Sequence, residues 1–142
     1  MQTFISNNEN DTFEFAAQFA KKLKGGSVVA FTGGMGMGKT AFVRGALHGL
    51  DNPSRVSSPT FALVNDYGGT PNVYHFDMYR VYDADDLYST GYFDYLTDNA
   101  ILFIEWSENI TECLPDNTIF VTIEKGAHES QRLITVRTEE NA

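Results

Sequence analysis

The chain has 142 residues, 19 of them acidic and 10 basic, for a formal net charge of −9. That length suits one domain on the usual prior of roughly 100–200 residues each, and 42% hydrophobic content excludes a disordered chain. A single cysteine, Cys113, rules out an internal disulfide, and a pI near 4.6 argues against a free-standing nucleic-acid binder, whose footprint is a basic patch.

Residues 3–6 are expected to form a short strand. The spacing of Phe13, Ala16, Ala17, Ala20 and Leu23 predicts a helix over 11–24, with Asp11 as cap and Gly25 as terminator. The apolar run 27–32 has the composition of a strand buried on both faces. A glycine loop follows, then a predicted helix over 39–48 closed by Gly49. Residues 51–60 are a polar loop with two prolines. Strands over 61–67 and 73–76, joined by a turn at 68–72, predict a β-hairpin. Residues 83–96 suit one or two short helices broken at Gly91. A second buried strand is expected over 100–104, and a final strand pair over 118–124 and 132–137 turns at Gly126. No linker or repeat divides the chain. The order predicts one α/β domain over 1–142, with a mainly parallel central sheet and antiparallel flanking strands. No apolar run reaches the roughly 18 residues of a membrane span. The N-terminal stretch MQTFISNNENDTFEF lacks the pattern of a secretion signal, so a cytoplasmic protein is expected.

The sharpest motif is Gly33-Gly34-Met35-Gly36-Met37-Gly38-Lys39-Thr40, which fits G-x-x-x-x-G-K-[ST], the P-loop or Walker A pattern. The chemistry explains each letter. Glycines let consecutive backbone N–H groups approach phosphate oxygens, and the following helix N-terminus adds partial positive charge. Lys39 would reach the β- and γ-phosphates, and the Thr40 hydroxyl would ligate Mg²⁺. A dinucleotide fingerprint beginning at Gly34 would need glycine where Lys39 stands.

A P-loop site needs a second acid on the metal side, and two strand tips offer one. Ile101-Leu102-Phe103-Ile104-Glu105 ends on a carboxylate, as does Val73-Tyr74-His75-Phe76-Asp77. Either suits Mg²⁺, which prefers oxygen ligands, and either would equally serve as a turn cap. Trp106 is a pocket neighbour if Glu105 is the acid, or else a core residue. His48, His75 and His128 are scattered and suit surface or core roles rather than a metal. Cys113 suits a packed thiol. Asp83, Asp85, Asp86, Asp94 and Asp98 form an acidic, tyrosine-rich stretch, either a solvated face or a surface for a basic partner.

A guanine-reading Asn/Thr-Lys-x-Asp motif is absent, and the five arginines are dispersed, unlike the clustered arginines of a kinase lid. A small ATPase whose site a partner completes fits better. A small-molecule P-loop kinase and a nucleotide-binding regulatory module without turnover stand as the alternatives.

Four segments in order, GMGKT, SSPTFALVNDY, VYHFDMYR and IEW, make the chain resemble the TsaE (YjeE) family of bacterial P-loop ATPases. The resemblance spans about residues 27–106. It implies a role in forming the threonylcarbamoyl group on adenosine 37 of tRNAs that read codons beginning with adenine (t6A). It implies that Gly36, Met37, Gly38, Lys39, Thr40 and Ala41 wrap the ATP phosphates, with Thr40 and Glu105 on Mg²⁺. Lys39, Asp77 and Glu105 are then the catalytic set. Ser58, Pro59 and Thr60 match a first switch-like loop. His75, Asp77 and Arg80 lie in a second, where Met78 replaces the more usual leucine, and Trp106 matches the tryptophan beside the acid. Glu9 and Arg132 are candidates for the adenine side by position. The implied partners are TsaD and TsaB, which hold the substrates, so tRNA is met only through the complex. That division suits a chain of net charge −9.

Overall fold

The computed structural model describes residues 1–32, 38–54 and 64–138. The expectations for Gly36, Met37, Ser58, Pro59 and Thr60, and for the start of the hairpin at 61–63, lie outside the described residues. Among the described residues seven strands form one sheet: β1 (Gln2–Ser6), β2 (Val28–Thr32), β3 (Val64–Gly68), β4 (Asn72–Asp77), β5 (Ala100–Glu105), β6 (Ile119–Lys125) and β7 (Arg132–Arg137). Their spatial order is β1-β7-β6-β2-β5-β4-β3. The central four, β6, β2, β5 and β4, run parallel, and β1, β7 and β3 add antiparallel edges. The expected mainly parallel centre with antiparallel flanks is what forms.

Helices α1 (Glu9–Ala20) and α2 (Lys39–Gly49) pack on one face of the sheet. The period-2 geometry of β2 and β5 sends alternate side chains to opposite faces. Val29, Phe31, Ile101 and Phe103 meet Ala16, Ala20, Phe42 and Leu47 of these helices. Val28, Ala100, Leu102 and Ile104 meet a second cluster on the other face, with Phe76, Leu87 and Tyr92. That face is covered by α3 (Ala84–Ser89), a 3-10 helix at Tyr92–Tyr95 and a kinked 3-10 segment at Ser107–Cys113. The break expected at Gly91 is present, with φ +77°.

Three local expectations are corrected. The cap of α1 is Asn8, which is extended (φ −164°) and accepts from Asp11 N–H at 2.8 Å. Asp11 sits inside the first turn and its carboxylate accepts from Asn7 N–H, so the two side chains together satisfy two backbone donors. The helix also ends at Ala20, earlier than expected. Gly49 is the last residue of α2 rather than the residue that follows it. A Cβ there would lie 2.1 Å from Ala17 O, and one at Gly45 would lie 2.2 Å from Phe13 O. Glycine at both positions lets the backbones of α1 and α2 approach closely.

Candidate functional site

Because β2, β4 and β5 are parallel, their C-terminal ends open on the same edge, where α/β sheets bind ligands. Gly38 adopts φ +95° immediately before α2, a left-handed turn that glycine makes at no steric cost. It sets Lys39 and Thr40 as the first two residues of α2. The Lys39 side chain is buried, and its ammonium lies 5.7 Å from the centroid of the Trp106 ring.

Trp106 follows Glu105 with φ +59°. A bulky residue there costs of order 1–3 kcal/mol and persists only when neighbours over-determine it. Two contacts do so. Ser107 Oγ donates to Phe31 O on β2 at 2.9 Å, and the Tyr79 ring lies 4.9 Å from the indole. Trp106 is half-buried and stands beside the candidate site, rather than deep in either core cluster.

The strand register brings the two candidate acids together. Asp77 and Glu105 are partners across the parallel β4–β5 pair. Val73, His75 and Asp77 lie on the sheet face that carries Phe103 and α2, by the strand's period of two. Glu105 Oε2 pairs with His75 Nε2 at 2.6 Å, and His75 Nδ1 meets the Tyr67 hydroxyl at 3.0 Å. Asp77 accepts from Tyr79 N–H at 2.9 Å. Burial lifts the Asp77 carboxyl above its ordinary value, the Tyr79 N–H opposes that, and the Glu105 carboxylate adds to it. Arg80 is exposed on the turn after β4.

A cavity of about 600 Å³ adjoins the P-loop end of α2. Glu9 and Thr12 of α1, Gly38 and Ala41, and His128 and Arg132 line it. Glu9 and Arg132, singled out by position, thus share a wall with the residues flanking Lys39. Arg132 Nη1 donates to Glu129 O, and to Gln131 O at 2.9 Å, which orders the β6–β7 connection.

Sequence reasoning gave Tyr67 and His128 no site role, and placed His75 in a switch-like loop rather than against Glu105. His75 is fully buried against Glu105, Tyr67 holds its other nitrogen, and His128 faces the cavity. The signal for His75 was its spacing of two from Asp77 in a strand. His128 carried no local signal. The acidic residues Asp83 and Asp85 are exposed and Asp86 is half-buried, and Asp83 caps α3 by accepting from Asp86 N–H. Among the described residues no helix is long and apolar enough to cross a membrane.

A family model described as "Threonylcarbamoyl adenosine biosynthesis protein TsaE" matches residues 6–134. Curated relatives share that description. The tRNA threonylcarbamoyladenosine biosynthesis protein TsaE of Treponema pallidum is 33% identical, over 93% of this chain and 97% of its own. The protein of the same name from Rickettsia typhi is 38% identical, over 94% and 92%. The crystal structure of Bacillus subtilis YdiB superposes with a TM-score of 0.72 at 27% identity, covering 99% of this chain and 87% of that one.

Proposed function

Because the chain belongs to the TsaE family of threonylcarbamoyl adenosine biosynthesis proteins, we propose that it is the ATP-binding and ATP-hydrolysing subunit of t6A formation on tRNA, working in the cytoplasm. One observation carries this reading: the buried Lys39 at the start of α2 lies over Trp106, the residue next to Glu105 at the tip of a neighbouring parallel strand. A phosphate-binding lysine and a metal-side carboxylate so placed are the two fixed charges that phosphoryl transfer requires.

By the motif's pattern, the backbone N–H groups of Gly36, Met37, Gly38 and Ala41 would bind the phosphates, and Lys39 would neutralise the β/γ oxygens. The Thr40 hydroxyl and the Glu105 carboxylate are hard oxygen donors, a set that fits Mg²⁺. Bound Mg²⁺ would neutralise charge on the β- and γ-phosphates. Asp77, at the end of β4, senses the γ-phosphate together with the turn that carries Arg80 and with Ser58, Pro59 and Thr60. The 600 Å³ cavity takes the adenosine, with Glu9 and Arg132 on its walls. Among the described residues no cluster of arginines converges on the site, which favours turnover that is low alone and rises when TsaB and TsaD dock. The transfer of the threonylcarbamoyl group belongs to those partners, which hold the tRNA.

The test is multiple-turnover tRNA modification by TsaB and TsaD, with and without this protein, followed beside phosphate release. The expected result is modification that depends on the protein and fails with Lys39→Ala, with phosphate release stimulated by the partners. Modification indifferent to the protein overturns the reading, and a phosphorylated small-molecule product would make it a kinase.

A further inference from the structure

Glu105 is not left to find its own orientation. Its Oε2 lies 2.6 Å from His75 Nε2, in a pair where the imidazole is fully buried and the carboxylate 14% exposed. A carboxylate only accepts, so the hydrogen of that bond sits on Nε2. In the neutral ring Nδ1 then accepts from the Tyr67 O–H, 3.0 Å away. Tyr67 is itself fixed, because its carbonyl accepts from Ser54 Oγ. The ring is therefore gripped at both nitrogens, from β3 on one side and β5 on the other. Burying such a pair carries a desolvation cost that an apolar side chain of the same volume would avoid. Packing alone does not account for it.

We propose that His75 is a positioning residue for the metal-side acid, with Tyr67 holding its ring so that Glu105 presents its second oxygen, Oε1, to Mg²⁺ in one orientation. The inference rests on the reading of Glu105 as that acid. It places a histidine outside the set that touches nucleotide or metal, and it ties strand β3 to the acid through Tyr67. Partners of metal ligands typically change metal affinity by about 10–100-fold when removed.

Calorimetric titration of ADP, with and without Mg²⁺, separates the possibilities in the full chain. The variants are chosen by reach. In His75→Gln the amide nitrogen replaces Nε2 and still donates to Glu105, whereas His75→Asn is too short and keeps only the Tyr67 side. The expected result is Mg²⁺-dependent tightening lost by roughly tenfold or more in His75→Asn, and retained within about threefold in His75→Gln. Mg²⁺-free ADP affinity should be equal in wild type and both variants. Tyr67→Phe keeps the packing while freeing one end of the ring, and should weaken the Mg²⁺ effect partially. Glutamine and asparagine variants that behave alike, or Mg²⁺-free affinity that falls in step with the Mg²⁺-bound value, overturn the positioning role and leave a merely structural histidine. Wild type without Mg²⁺-dependent tightening, or Glu105→Gln indistinguishable from wild type, overturns Glu105 as the metal-side acid and the inference with it.

Discussion

The Lys39 ammonium lies 5.7 Å from the centre of the Trp106 ring, so the first residue of α2 and the first residue after β5 face one another across the candidate phosphate site. The cation–π contact itself is worth roughly 0.5–1 kcal/mol. The role proposed for Lys39 is toward phosphate, where a hydrogen bond to a charged group contributes about 1.5–3 kcal/mol. Lys39→Ala should therefore lower ATP affinity by about ten- to hundredfold and abolish turnover. Thr40→Ala should keep residual nucleotide binding while losing Mg²⁺ dependence. Calorimetry and phosphate release measure both, and unchanged affinity with unchanged turnover in Lys39→Ala would reject the P-loop assignment.

Asp77 makes stability depend on pH with a definite sign. Its folded-state value is raised by burial first, against the Tyr79 N–H and with help from Glu105. Between the ordinary value of 3.8 and the raised one, the native state holds the proton and the unfolded state does not. Stability from this group is thus present below 3.8, falls as pH rises through the window, and is fully lost above it. Asp77→Asn keeps an oxygen for the Tyr79 N–H and removes the penalty. Its Tm should exceed that of wild type at neutral pH, with the difference shrinking in acid, while hydrolysis falls. An equal Tm difference at both pH values would show that burial of Asp77 is not the cause.

Arg132 orders the β6–β7 connection through two backbone carbonyls and shares the cavity wall with Glu9. Arg132→Ala should weaken ATP by about fivefold, the loss of roughly one hydrogen bond. Binding of inorganic tripolyphosphate should be unaffected. Equal losses for the two ligands would move Arg132 from the adenosine side to the phosphate side.

Gly45 tests the packing of α1 on α2. Alanine in place of glycine ordinarily gains about 1 kcal/mol in a helix interior. Here the added Cβ would lie 2.2 Å from Phe13 O, a backbone atom that cannot turn aside. Overpacking costs typically 1–3 kcal/mol or more, so Gly45→Ala should be less stable by about 1–2 kcal/mol. Urea unfolding measures it, and a midpoint at or above wild type would mean the helices separate freely.

The sequence by itself determined the pieces whose causes are local. Two apolar runs became the buried strands β2 and β5, because a short run apolar at nearly every position and rich in β-branched residues suits a strand covered on both faces. The glycine motif set Gly38 and Lys39 at the start of α2, and Gly91 broke the helical segment where a left-handed residue was needed. Even local signals have their ambiguity. Asn8 and Asp11 are both good capping residues, and the one whose backbone is extended became the cap. Tertiary structure decided which strands became neighbours. Pairing β1 with β7 brings Glu9, three residues beyond β1, to the same wall as Arg132 at the start of β7. Aligning β4 with β5 sets Asp77 opposite Glu105 and buries His75 against the acid. Strand pairing follows from burial shared among segments distant in the chain, and no residue's own neighbours encode it.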